Sequence, residues 1–547
     1  MIEPGIPAFD NLEGRVLRAG LGYPAVGRGL PGNTWESGNM FTDTTFVPNC
    51  NMDDAVFSDT VWRGEDNGHL RLRREHPVMQ ELFYSNAMRR MQAIEQLTLP
   101  PEYTTIPNTA AFSRFEHMWG SALLVKQLAA QQGLNETYTL WCMLRTLNSD
   151  IKQTTGSHKG DWMFQGIGGP EDLHDQGIEE YMEATGLTNI LRKHGIEPDT
   201  IIFPKIADWV EAPSPDLCID RVDYGLREMN RWNDTVRMLG FTASDFVLTP
   251  DLMLAMRDQQ RARVFSEGSL ALTQEHYGEP THHFIEELEM LMTKLLYVER
   301  LAPDMWAFAD HGREGLVPLH EIHPHDLMYI TDAAQTKFLR QPSLVGNTLD
   351  ALMTQIARYR RQYAWPARRR RLNNYMDQFA DPESYAKVLE TGQYVGIEDE
   401  RHGSYLDEYP SSMPAGFAIL TPAEARANPS AQAIDFTLKP FKNRQIDPLV
   451  QTNDGFSRLS ELDPSYRDRL EEQAEVVSQD HVARLAIPDP KTYRMIREFM
   501  TSIEPAWQER IARSRRMTSS EMGALVDAAA YEVHGHYPFM SFLDYSS

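Results

Sequence analysis

The sequence predicts a mainly α-helical protein with a helical core and a C-terminal lobe of mixed α and β structure. Three observations predict it. Apolar residues recur at helical spacing through the middle of the chain, short β-type runs are confined to the last third, and the first 75 residues show little periodicity of either kind.

Residues 1–75 are rich in Gly, Pro, Asn, Asp and Thr, as in Gly29-Leu30-Pro31-Gly32-Asn33, and read as loops and short strands wrapping a neighbouring unit. The second unit, 76–345, carries the helical stripes. Leu123, Leu124, Leu128 and Ala129 form one, Leu140, Met143, Leu144 and Leu147 another, and Ile285, Leu288, Met290, Leu291, Leu295 and Leu296 a third, the pattern of a helical bundle. In the third unit, 346–547, a helix is predicted over 347–363, followed by the basic cluster Arg368, Arg369, Arg370 and Arg371. Strands are predicted over Gly416–Leu420 and Ala433–Leu438, and helices over 492–500 and 520–534.

At 547 residues the chain exceeds what one hydrophobic core covers, and its 41% apolar content is enough to build two or three. The formal charge of -25, from 53 basic and 78 acidic residues, works against general nucleic-acid binding but leaves a local nucleotide site open. Cys50, Cys142 and Cys218 are odd in number and far apart, which argues for a reducing compartment. The start, Met1-Ile2-Glu3-Pro4, lacks the basic and apolar regions of a signal peptide, and no run reaches the roughly 18 apolar residues of a membrane span. These features predict a cytoplasmic protein with no membrane partner.

The chemistry-bearing residues begin at Leu82-Phe83 and Arg89-Arg90-Met91-Gln92-Ala93-Ile94-Glu95-Gln96-Leu97, followed by Ser113-Arg114-Phe115-Glu116-His117-Met118-Trp119-Gly120. This succession resembles the opening of the HD-domain phosphohydrolases, in particular the deoxynucleoside triphosphate triphosphohydrolase branch. The resemblance implies an HD-domain helical core with His117 as the first metal ligand. It continues at Leu147-Asn148-Ser149-Asp150-Ile151 with the tail Gly156-Ser157-His158, and at Asp220-Arg221-Val222-Asp223-Tyr224, so Asp150 and Asp220 are the further implied ligands. Two positions depart from the family pattern. Ser149 stands where a ligand His is expected, and Gln153 replaces a second His. One imidazole and two carboxylates make a harder donor set, which favours Mg²⁺ or Mn²⁺ and lowers affinity.

His174-Asp175-Gln176-Gly177 resembles the family's "H-E-x-G" segment, which implies a catalytic role for His174 with Asp175 beside it. His174-Asp175 is also a literal His-Asp doublet, but the Gly156-Ser157-His158 tail marks Asp150 as the doublet carboxylate. By the same resemblance, Gln96 and Leu97 lie against a sugar, Arg114, His158, Arg221 and Tyr224 meet phosphates, and Glu228 lies near a 3'-hydroxyl. The implied function is hydrolysis of a deoxynucleoside triphosphate to nucleoside and triphosphate by a homo-oligomer. The alternative is an impaired member that keeps the pocket as a nucleotide sensor or scaffold.

Two further clusters carry less specific signals. In His320-Glu321-Ile322-His323-Pro324-His325-Asp326, Pro324 is expected to break any helix that would align the histidines, which predicts a loop with surface histidines rather than a second metal site. The Arg368 to Arg371 run suits either an anionic effector or pairing with acidic surface.

Overall fold

A computed structural model describes residues 75–100, 102–106, 112–165, 173–202, 208–300, 307–309, 316–330, 332, 335, 344–396, 416–438 and 444–533. The expectation for residues 1–74 lies outside them. The protein is mainly helical, as predicted, and its central element is α1 (Arg114–Gln132). A capping box starts this helix: the Ser113 hydroxyl accepts the Glu116 N–H, and the Glu116 carboxylate accepts the Ser113 N–H. Gly133, in the left-handed conformation, ends it. Every residue from Arg114 to Val125 is buried, so the helix is enclosed on all sides rather than amphipathic.

Helices α2 (Glu136–Ser149) and α3 (Ile219–Trp232) both pack against α1. Their buried residues join those of α4 (Gln259–Leu272) in one extended core that reaches from Val78 to Ala529. The predicted stripes all fall within helices: Leu123 to Ala129 in α1, Leu140 to Leu147 in α2, and Ile285 to Leu295 in α5 (Pro280–Leu295).

The predicted strands Gly416–Leu420 (β1) and Ala433–Leu438 (β2) flank β3 (His481–Ala486) in an antiparallel sheet of order β1-β3-β2. A second core forms where Phe417 and Phe436 of this sheet meet Phe284 of α5, with ring centroids 5.1 and 4.9 Å apart. Another sheet ties the middle of the chain to its last third. Strand 254–256 pairs in parallel with strand 449–452, through Ala255 with Leu449 and Met256 with Val450.

The helix predicted over 347–363 is longer. It runs over Leu344–Tyr359, makes a π-turn at Arg360–Ala364 and continues over Trp365–Ala380, so the Arg cluster lies inside a helix rather than after one. Arg368 pairs with the buried Glu275 and Arg369 with Asp234 at 2.8 Å, while Arg360, one turn of chain before the cluster's helix, pairs with Glu279 at 3.1 Å. The C-terminal helices run over Pro490–Arg513 and Ser519–Val533. His534, the last residue of the predicted helix, lies outside the described residues.

The expected loop of surface histidines needs correction. Pro324 starts a one-turn helix, Pro324–Leu327, at a position that tolerates proline because the first N–H of a helix needs no partner. His325 and Asp326 are buried, and Asp326 accepts the Met517 N–H at 2.7 Å and pairs with Arg516 at 2.6 Å.

Candidate metal centre and histidine cluster

Three elements bring the implied ligands together. His117 is in the first turn of α1, Asp220 in the first turn of α3, and Asp150 caps the end of α2 with φ -100° and ψ 3°. That sparsely populated backbone region is common at functional sites. His117 Nε2 lies 2.9 Å from Asp220 Oδ1 and 3.6 Å from Asp150 Oδ2. Ligand atoms on adjacent corners of an octahedron with bonds of about 2.1 Å stand about 3 Å apart, so the spacing suits a divalent ion. The Asp220 side chain is 41% exposed while that of His117 is 2% exposed, so the group opens to solvent on the Asp220 side.

The other face of His117 is held from behind. Nδ1 lies 2.8 Å from Asp223 Oδ2, and Asp223 is gripped by Arg227 through Nε at 2.6 Å and Nη2 at 3.0 Å. Arg227 also donates to the Glu116 carbonyl at 3.0 Å. Gly120 makes room for this arrangement: a Cβ there would lie 1.9 Å from Arg227 Nη2. With the Nδ1 proton committed to Asp223, the Nε2 lone pair faces two carboxylates, an arrangement that only a proton or a cation between them satisfies. Without a metal ion the proton takes that place. Burial works against charge on His117, yet hydrogen bonds to Asp220 and Asp223 outweigh it and raise the pKa to about 9.

Asp150 is buried, which opposes its ionisation, but Arg114 and His117 hold its carboxyl well below the usual range. Arg114 Nη1 donates to Asp150 Oδ2 at 2.7 Å and Nε to Ser157 Oγ at 3.0 Å, so this guanidinium braces the site from within. Ser157 reaches it from a left-handed conformation, φ 56°, next to Gly156 at φ 66°. Ser149, in place of the expected ligand, donates to the Thr146 carbonyl of its own helix at 3.1 Å. Gln153 is fully buried.

A second group of His and Asp lies near enough for its His174 to act electrostatically on Asp150, and sequence reasoning saw only part of it. Asp161 Oδ2 lies 3.1 Å from His158 Nδ1 and 3.0 Å from His174 Nδ1, and Asp161 Oδ1 accepts the His174 N–H at 3.2 Å. Burial disfavours charge on His174, but Asp161 raises its pKa regardless. Burial likewise works against the Asp161 carboxylate, and the two histidines hold its pKa down. Asp175, the expected neighbour in chemistry, has a 56% exposed side chain 3.6 Å from His174 Nε2. Either group could hold a metal ion by the convergence of its ligand atoms, which lie within 4.8 Å of one another.

The remaining positions lie on α3 and on the segment that precedes α1. Tyr224 has its ring centroid 6.2 Å from that of His117, and burial pushes its pKa up to about 12. Arg221 donates to the Asp216 carbonyl, Glu228 is buried further along α3, and Leu97 is buried beside the partly exposed Gln96. Asp161, Asp223 and Arg227 were missed by sequence reasoning. Their signals were present: Asp161 follows His158 by three residues, and Asp223 and Arg227 are one and two helical turns past Asp220.

No protein-family profile matches the chain. The chain is similar to the metal-dependent phosphohydrolase cns2 of Cordyceps militaris, with 33% identity over 154 residues, 28% of this chain and 40% of that protein. It is also similar to the uncharacterized protein YdhJ of Bacillus subtilis, with 29% identity over 157 residues, 28% of this chain and 44% of that one. The chain thus spans less than half the length of either curated relative. Among the described residues no helix is long and apolar enough to cross a membrane.

Proposed function

We propose that the protein is an HD-type metal-dependent phosphohydrolase acting on a nucleotide, with a deoxynucleoside triphosphate as the first substrate to test. The observation that carries this reading is the convergence of His117 Nε2, Asp150 and Asp220, with the opposite nitrogen of His117 locked by Asp223 and Arg227. A carboxylate behind a ligating histidine is the usual support of a metal site. The likeness to a protein named as a metal-dependent phosphohydrolase agrees with it.

A divalent ion at this site, Mg²⁺ or Mn²⁺ for so oxygen-rich a donor set, supplies a Lewis acid for a phosphoryl oxygen and eases deprotonation of water near neutral pH. The chain's own residues do the rest. Arg114 orients the Asp150 carboxylate. His158, Arg221 and Tyr224 bind phosphate oxygens, and Gln96, Leu97 and Glu228 meet the sugar. Asp161 commits the Nδ1 protons of His158 and His174, leaving their Nε2 atoms for substrate. Against the effect of burial, Asp161 raises the pKa of His174, which favours the imidazolium, and from it Nε2 can give its proton to the leaving oxygen as the bond from that oxygen to phosphorus breaks. Asp175, beside Nε2, steadies the imidazolium.

A second reading, a nucleotide sensor that no longer turns over, is favoured by Ser149, whose hydroxyl is turned back to its own helix. The experiment that separates them incubates the purified protein with each deoxynucleoside and ribonucleoside triphosphate and Mg²⁺ or Mn²⁺, beside an EDTA control and Asp220→Asn. Release of nucleoside and triphosphate that both controls abolish is the expected result. Tight nucleotide binding without turnover supports the sensor, and neither binding nor turnover overturns the nucleotide reading.

A further inference from the structure

Asp332 is 176 residues past Gly156, outside every motif discussed so far. Its Oδ2 accepts the Glu95 N–H at 2.7 Å, its Oδ1 accepts the Gly156 N–H at 2.7 Å, and its own N–H donates to the Ala93 carbonyl at 3.1 Å. One carboxylate therefore holds the backbone of two loops. The first loop bridges Glu95 to Ser113, the N-cap of the helix that carries His117, and leads directly into Gln96 and Leu97. The second carries Ser157, which meets Arg114, and His158 of the histidine cluster.

The second loop is pinned on its other side as well. Lys159 pairs with Glu289 of α5 at 2.7 Å, and its side chain lies against Gly156, where a Cβ would come 2.2 Å from Lys159 Cε. Gly156 is thus fixed between Lys159 and Asp332 and cannot drift independently of either. The Glu95 loop reaches this frame by three routes: Asp332, Arg114, which follows the bridged Ser113 and meets Ser157, and Thr98, which donates to Glu286 of α5. Asp332 joins the Glu95 and Gly156 backbones through one side chain.

We propose that Asp332 is a positioning residue that holds the Gln96-Leu97 segment in place relative to Ser157-His158, and with it the grip on the organic half of the phosphoester. This rests on the phosphohydrolase reading above. Aspartate is suited to the task because each of its two oxygens accepts one backbone N–H. Asparagine would set an NH₂ group against one of the two N–H donors and release that loop. Glutamate would keep both acceptors but lengthen the strut by one carbon–carbon bond, about 1.5 Å.

The test compares the metal-loaded full-length protein with Asp332→Asn and Asp332→Glu by backbone hydrogen exchange, then by hydrolysis of whichever phosphoester the wild type turns over. In Asp332→Asn, exchange should rise about tenfold or more in a peptide covering Glu95 to Leu97 or one covering Gly156 to His158, as loss of a hydrogen bond to a charged group implies, with 115–128 unchanged. KM should rise about tenfold while kcat stays within about threefold, since binding and not the reacting centre is disturbed. Asp332→Glu should retain protection at both loops yet raise KM, which keeps the test decisive if the Asn variant folds poorly. Unchanged exchange at both loops, a uniform rise across the chain, or a fall in kcat at constant KM would overturn the proposal. If the wild type hydrolyses no phosphoester, the functional reading fails by itself, and the exchange data alone decide whether Asp332 clamps the loops.

Discussion

The two His–Asp groups use the same residue types in opposite balance. Around His117, one imidazole faces Asp150, Asp220 and Asp223; around Asp161, one carboxylate faces His158 and His174. The first group carries surplus negative charge, offset in part by Arg114 and Arg227, and so favours a cation at its open face. The second sets two imidazoles around one carboxylate, with Asp175 3.6 Å from His174 Nε2, and under the proposed function it handles protons and anionic oxygens. The same residue types thus stand in two different balances of charge, and the proposed division of roles rests on that difference.

Substitutions in one group that spare the other would sharpen this contrast. His174→Ala removes the proposed proton donor, and kcat should fall by about 10²- to 10⁴-fold with bound metal per chain unchanged by elemental analysis. Asp161→Asn should give a smaller loss, again with metal retained. If either variant empties the metal site, the two groups act as one and the contrast breaks. Asp223→Asn attacks the first group from behind and should weaken metal binding by about 10- to 100-fold in a calorimetric titration, because Nδ1 loses the partner that fixes its tautomer.

Acidity should move the first group in two opposite ways. In metal-free protein the His117 pKa is raised to about 9, so its contribution to folding is fully present below the unfolded value of about 6.5 and is lost as pH rises through 9. Urea unfolding of EDTA-treated protein should therefore show a falling midpoint between pH 6.5 and 9.5, and Asp220→Asn should flatten that slope. Metal affinity should instead climb over the same range, by at most about tenfold per pH unit, since the ion must displace the His117 proton. The smallest expected change is a gain: Ser149→His restores an imidazole at the end of α2, and a metal affinity higher by about tenfold would confirm that the departure at this position weakens the site. No gain would mean that residue 149 is turned away from the ion, as its bond to Thr146 suggests.

Much of the helical framework was legible because α1, α2 and α5 carry continuous apolar spacing that a sequence displays directly. The convergence of His117, Asp150 and Asp220 followed from motif order. What supports them was harder to read. Asp223 and Arg227 looked like further polar residues on α3, and only the packing of α3 on α1 shows which of them backs His117. Asp332 had no local signal at all, since its partners are 237 and 176 residues away. His325 was read as exposed because Pro324 was taken to end a helix; it begins one, and the turn carries His325 inward. Parallel pairing of 254–256 with 449–452 was likewise invisible, because periodicity reports which face of a strand is buried and not which strand lies beside it.

Gly120 shows how such hidden supports shape tolerance to variation. Exchanging glycine for alanine inside a helix is ordinarily an improvement, by about 1 kcal/mol. Here a single added methyl group would occupy the volume of the Arg227 guanidinium and come 2.4 Å from Asp223 Oδ1. A change that a substitution matrix scores as benign, at a residue outside the proposed ligand set, would therefore reach His117 through two intermediaries, and natural variants at this position merit reading as lesions of the proposed metal centre.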